Sequence, residues 1–191
     1  MAASRPIAMS APPPSVSAVA LWQELATRLP PLPDNPTPRL MAHRRAARNW
    51  LTRPIPTKDG SNLERVKGYI QTFYHLGDSD AWEAATYLLS SPAPQTTTAF
   101  HHQLGLWGYY QTQVEIYRQA LGTLDLPAAY RWDSTCLNGL GNAYQELGDL
   151  PRAAHYHTQH LHLARHGDDL LNQGLALGNL GMVYDLSGDY P

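Results

Sequence analysis

Leu137-Asn138-Gly139-Leu140-Gly141-Asn142-Ala143-Tyr144, closed by Gly148-Asp149, is echoed forty positions later by Leu177-Gly178-Asn179-Leu180-Gly181-Met182-Val183-Tyr184, closed by Gly188-Asp189. In each copy the two leucines and the tyrosine are three and four positions apart, so they fall on one face of a helix. Gly148 can take the left-handed backbone that ends a helix, Asp149 can cap the next one, and Pro151 is tolerated in its first turn. Gly141 and Ala153 are small enough to let the two helices of such a hairpin approach closely, and Gly181 repeats the first of them. A fixed period of roughly 20 to 50 residues marks a solenoid, in which each unit packs on its neighbours.

The same period runs backwards. Gly108, Ile116, Tyr117 and Leu121 precede Gly148, Tyr156, His157 and Leu161 by the same forty positions. Helices are therefore expected over 98–107 and 110–121 as a degenerate copy, then over 130–147, 150–166 and 170–187, with Asp125-Leu126-Pro127 as a link. Upstream, Ser61 with Glu64 has the capping-box pattern, opening a helix that carries Leu63, Val66, Tyr69, Ile70 and Phe73 and stops at Gly77. A further helix starts from Asp78 or Asp80 with Trp82, Ala85, Leu88 and Leu89 facing inward, and Ser91 to Pro94 end it. Eleven of the sixteen prolines lie at or before Pro56, which argues for extended, partly disordered chain rather than a compact core there. Two helices interrupt it: one from a Ser17 cap to 29, and one over 38–51 that Pro54 and Pro56 close before the Lys58-Asp59-Gly60 turn. The expected organisation is a Pro-rich leader with one short helix (1–37), a helical segment with a degenerate hairpin (38–95), and repeats (96–191). The fold class is all-α, an α-solenoid of antiparallel helix pairs.

Charge is uneven. Positions 1–58 hold eight Arg and Lys against two acids, and positions 59–191 hold six against fourteen. The chain has a single cysteine, which excludes an internal disulfide or a Cys-rich zinc knuckle and points to a reducing, cytoplasmic setting. No apolar run approaches the length of about 18 residues that a membrane span needs, so none is expected. The opening Met1 to Arg5 and the apolar 16–21 only imitate a secretory leader, because Pro12 to Pro14 precede a run that Gln23 and Glu24 soon interrupt.

The stretches 137–144 and 177–184 resemble the Leu-Gly-x-x-Tyr core of tetratricopeptide repeats, and Ala153 matches the family's next small position. The forty-position form with an extended second helix, of the Pins and kinesin-light-chain type, is the nearest match, through Gly148-Asp149, Tyr156-His157 and Leu163-Ala164-Arg165 to Gly167-Asp168. His160 departs from the pattern, standing where a small residue is usual, and Trp107 to Tyr110 replaces the ordinary turn of the earlier copy. More loosely, Asn49-Trp50-Leu51, the 54–60 turn and Ala81-Trp82-Glu83-Ala84 resemble the helical segment that joins the switch domain to the repeats in bacterial signalling ATPases of the STAND class. No Gly-x-x-x-x-Gly-Lys-Ser/Thr phosphate loop occurs, so any ATPase part is absent from this chain.

The tetratricopeptide resemblance implies a right-handed superhelix whose first helices line a concave, peptide-binding groove. It places Thr135, Asn138, Asn142, Gln145 and Glu146 there, and from the next copy Leu175, Gly178, Met182, Asp185 and Leu186. Asn142 matches a position used to hold a peptide main chain, for which an amide supplies both donor and acceptor. With no lysine or arginine among these residues, the expected ligand is neutral to basic, with an apolar anchor near Leu175 and Met182.

Competing chemistries read as structural. His162 and His166 have the i, i+4 spacing of a metal pair, but His157 matches the family's aromatic core position and the remaining histidines of that helix alternate around a solvated face. Cys136, next to Leu137, reads as a small buried side chain rather than a nucleophile. Gly139-Leu140-Gly141 follows no strand and is no dinucleotide fingerprint. His43, Arg44, Arg45 and Arg48 make a basic helix face, read as solvated, so nucleic acid is not an expected partner. No catalytic residues, cofactor or metal are assigned. The sequence is expected to encode a non-enzymatic scaffold in signal transduction, binding a protein or peptide; the alternative is a sensor or arm fragment of a STAND-type ATPase. Because 189–191 begins a second helix, an incomplete last hairpin is expected, with self-association through the unpaired C-terminal helix.

Overall fold

In the computed structural model the described residues are 17–53, 60–125 and 128–188, with 128 and 129 described by backbone alone. Among them are nine helices and no strand. These are α1 (Ala18–Ala26), α2 (Pro38–Thr52), α3 (Asn62–Gly77), α4 (Trp82–Ser90), α5 (Phe100–Leu106), α6 (Tyr110–Ala120), α7 (Ala128–Glu146), α8 (Leu150–His166) and α9 (Leu170–Ser187). The turns expected at Lys58-Asp59 and at Leu126-Pro127, the closing Pro54 and Pro56, and the helix start at 189–191 lie outside the described residues.

Chain order and packing order coincide from α2 onward, while α1 lies on α4 as well as on α2. α2 lies on α3, α6 on α7, α7 on α8 and α8 on α9, as in a solenoid, where each element has only its neighbours to bury against. One apolar core runs from Leu21 and Leu25 through Phe73, Phe100, Ile116 and Leu140 to Val183. A smaller cluster of Leu161, Ala176 and Leu180 joins α8 to α9.

The caps follow the local chemistry. Ser61 Oγ accepts from Glu64 N while the Ser61 N–H donates to the Glu64 carboxylate at 2.7 Å, closing the capping box. The Asp149 carboxylate accepts from Arg152 N at 3.1 Å, and Asp169 does the same for Asn172 N at 3.0 Å. Each such cap satisfies an N–H that the first helical turn leaves without a partner, for about 1 kcal/mol.

Two expectations are corrected. α1 ends at Ala26, earlier than the proline-marked limit at 29, and it is not loose: Leu21 and Leu25 are buried in the common core. Prolines restrict the backbone around this helix without weakening its apolar face, which docks on α2 and α4. α3 stops at Gly77 as expected, and the left-handed residue between α3 and α4 is Asp80, at φ 56°. A Cβ on Gly77 would lie 2.8 Å from the Trp82 ring, which explains the small residue there. Finally, His160 is not on the solvated face of α8. It is fully buried, with its ring Nε2 2.8 Å from Ser134 Oγ of α7.

The small residues act as expected in the central hairpin only. A Cβ on Gly141 would lie 2.4 Å from the buried His157 ring, so α7 and α8 meet ring against backbone, with Ala153 buried beside them. At Gly181 the same construction meets nothing within 4 Å.

Candidate functional site

Positions 131, 135, 138, 142 and 146 of α7 are three or four apart and form one stripe along the helix. In this chain they are Arg131, Thr135, Asn138, Asn142 and Glu146, and all five line a concave cavity of about 770 Å³. The opposite wall comes from the preceding hairpin, through His101 and Gly105 of α5 and Tyr110 and Gln113 of α6. Asn172 and Leu175 of α9 close one side. Leu106 and Leu175, 62% and 45% exposed, are the apolar side chains at its margin.

The cavity wall is a hydrogen-bonded lattice. Gln113 Nε2 donates to the His101 carbonyl at 2.8 Å, and the Tyr117 hydroxyl meets His101 Nδ1 at 2.7 Å. Burial, and secondarily His102, lowers the His101 pKa to about 4, so this ring is neutral at pH 7. Tyr130 donates its hydroxyl to Asp169 at 3.2 Å. Asp169 is held below the usual carboxylate range first by the backbone N–H and then by the side-chain amide of Asn172. The pKa of Tyr110 is raised by desolvation and by its bond to Glu146. On α9 the buried Asn179 reaches back to α7: its Nδ2 donates to Asn138 Oδ1 at 2.9 Å and to Asn142 Oδ1 at 3.5 Å. The Asn142 amide thus meets Asn179 through its oxygen, and its N–H groups remain to serve as donors.

Of the residues singled out from sequence, Thr135, Asn138, Asn142, Glu146 and Leu175 therefore share one cavity. Gln145, Gly178, Met182 and Asp185 do not line it. Met182 and Leu186 are exposed elsewhere on α9, and open space surrounds the Gly178 position. The expected lack of a cation does not hold for this cavity, because Arg131 lies in the wall. Its place one turn before Thr135 puts it on the same helical stripe, a relation visible in the sequence. Asn179 and Asn172 left no comparable signal: Asn179 occupies the register of Gly139 in the previous copy, and its partners lie across a helix interface.

The structural alternatives to a binding site are clear for several other residues. Cys136 is fully buried, and burial, with Asp133 behind it, pushes its thiol far above the ordinary range, away from a reactive thiolate. His162 and His166 are exposed, and a His166 ring nitrogen lies 2.8 Å from the His162 carbonyl. No described helix is long and apolar enough to cross a membrane.

Helices that pack in chain order, with a concave wall built from the first helix of a hairpin and its two neighbours, define an all-α helical-repeat protein. Residues 136–171 match the family model described as Tetratricopeptide repeat, so this stretch is a repeat of the tetratricopeptide type. The match spans most of α7, all of α8 and the first residues of α9. No curated protein matches the chain. Repeats of this family generally serve protein–protein interaction.

Proposed function

We propose that this chain is an interaction module that holds a peptide or partner segment along α7, in the cavity between α5–α6 and α9. The observation that carries the proposal is the ladder of Asn138 and Asn142 between two opposite charges. Arg131 and Glu146 are fifteen positions apart on one helix, which is about 22 Å along its axis. An extended segment of about six or seven residues covers that length. Asn142 offers its amide to the segment's main chain, Leu106 and Leu175 take an apolar side chain, and Arg131 and Glu146 accept an acidic and a basic residue at opposite ends. The ligand is thus a mixed-charge segment rather than the neutral-to-basic one expected from sequence.

Selection from a displayed library of random heptapeptides tests this. Peptides with an acidic residue near one end, a basic one near the other and an apolar residue between are expected. Asn142→Ala and Arg131→Glu should each weaken their binding about tenfold or more while leaving the helical circular-dichroism signal unchanged. If the selected peptides bind both variants as they bind the wild type, the groove assignment fails.

A second apolar surface supports self-association. Leu170, Leu177 and Tyr184 of α9, seven positions apart and therefore on one face of the helix, are 80, 52 and 38% exposed, and clustered exposed apolar side chains mark interaction surfaces. Light scattering should show mass rising with concentration, and Leu177→Glu with Tyr184→Glu should return a monomer. A wild type that stays monomeric at high concentration removes this part of the proposal.

A further inference from the structure

A different group of side chains lies at the other end of the molecule, between α2 and α3. These helices run antiparallel, and their register is pinned where Thr72 Oγ1 donates to the Ala47 carbonyl at 3.1 Å. One turn onward along α3 and one turn back along α2, that register sets His75 against His43. Their Nδ1 atoms are 3.1 Å apart and their ring centroids 5.3 Å, with the rings tilted by 55°. Asp78, the residue that caps α3, brings Oδ2 to 3.5 Å from the same His43 Nδ1. All three residues offer a ligand atom within 4.8 Å of one another, the one such group among the described residues.

Hydrogen bonding accounts poorly for this convergence. A neutral His43 carries at most one proton on Nδ1, so it can serve His75 or Asp78 well but not both, and two in-plane lone pairs are left facing each other. A shared cation satisfies all three atoms at once. In a tetrahedral site with metal–nitrogen bonds of about 2.0 to 2.1 Å, ligand atoms are about 3.3 to 3.4 Å apart, and the 3.1 and 3.5 Å separations here straddle that edge length. Two imidazoles and one carboxylate, with no sulfur, form a borderline donor set suited to zinc and its neighbours rather than to calcium or magnesium.

We propose that His43, His75 and Asp78 bind one divalent transition-metal ion of the zinc type, with water in the fourth position. The local environment supports such a site. His43 is 19% and Asp78 51% exposed at the side chain, which leaves a solvent path for the ion and for a water ligand. Arg44, the cation next in sequence, is drawn off to the Pro30 carbonyl at 2.6 Å. The ion would tie α2 to α3 at the end of the core away from the peptide cavity, and so stabilise the hairpin independently of ligand binding.

The test uses the full chain and zinc or cobalt(II) salts in chelator-free buffer. Titration calorimetry should show one equivalent of zinc, with a rise in the thermal midpoint that saturates at that ratio, and cobalt(II) should give the intense visible absorption of a four-coordinate ion. His75→Gln and Asp78→Asn, both close in size to the originals, should each weaken zinc binding at least about tenfold and remove the cobalt band. His162→Ala with His166→Ala should change neither. Absence of a stoichiometric zinc heat and of the cobalt band in the wild type overturns the proposal without any variant. So does zinc binding that survives His75→Gln, or that disappears only in the His162, His166 double variant.

Discussion

Gly141→Ala will destabilise this protein by about 3 kcal/mol, while Gly181→Ala, at the matching position of the next copy, will stabilise it by about 1 kcal/mol. Both glycines sit inside helices, where alanine is intrinsically the better residue because it restricts the unfolded chain and completes the helix surface. That benefit is common to the two sites, and the surroundings decide the net sign. At Gly141 the new methyl would be 2.4 Å from the His157 ring. That ring is fully buried and hemmed in by the core, so relief requires moving α8 away from α7, and overpacking of this kind outweighs the propensity gain. At Gly181 nothing lies within 4 Å, and only the gain remains. Thermal melts should show the midpoint falling by roughly 5 to 10 °C for Gly141→Ala and rising by a few degrees for Gly181→Ala. Equal effects at the two positions would mean that the close approach of α7 to α8 at His157 is not as described.

Acidification from pH 7 to pH 5 will cost the fold a large part of its stability through its buried histidines. Burial, with a histidine neighbour as the lesser cause, lowers His101 and His157 from 6.5 to about 4 in the folded chain. Between those values the unfolded chain binds a proton at each site that the folded chain refuses, so stability declines as pH falls through 6.5 and levels off below about 4. The loss between pH 7 and pH 5 is on the order of 2 kcal/mol for each ring, and the midpoint should drop by on the order of 10 °C for the two together. His160 and His75, also lowered mainly by burial, add to it in the same direction. The lowered Asp169 and Glu64 act only in more acid solution, since their ordinary ranges already lie near pH 4. Neither ring nitrogen of His157 has a hydrogen-bond partner, so His157→Phe should keep the aromatic plate over Gly141 and remove about half the pH-dependent loss attributed to the two rings. A variant that retains the full wild-type slope between pH 7 and pH 5 would show that His157 is not one of the titrating groups.

Much of the fold was legible in advance because its determinants are local. The boundaries of α8 and α9 follow from the turns at Gly148-Asp149 and Gly167-Asp168, and the capping box at Ser61 and Glu64 depends on side chains three positions apart. The candidate site was legible in part, for the same reason: Thr135, Asn138, Asn142 and Glu146 share a helical stripe, and such a stripe needs no knowledge of the rest of the molecule. Arg131 belonged to that stripe and was within reach of the same argument. Met182 and Asp185 fall outside the cavity because the forty-position period transfers a register, whereas a cavity needs a facing wall. The wall from α5 and α6 encloses the α7 stripe, and α9 meets it through Asn172, Leu175 and Asn179 instead.

The residues by themselves determined the period, the helices and their caps, since each of these depends on residues within one repeat length of chain. Tertiary structure alone decided what each repeated position is for. Gly141 and Gly181 hold the same place in the repeat and follow the same Leu, yet one is pressed against a buried ring and the other faces open space. His43 and His75 lie more than thirty positions apart with no motif between them, and only the antiparallel register of α2 on α3 brings their nitrogens to 3.1 Å. Helix formation is dictated along the chain, whereas steric fit and converging side-chain atoms depend on what the next helix places opposite.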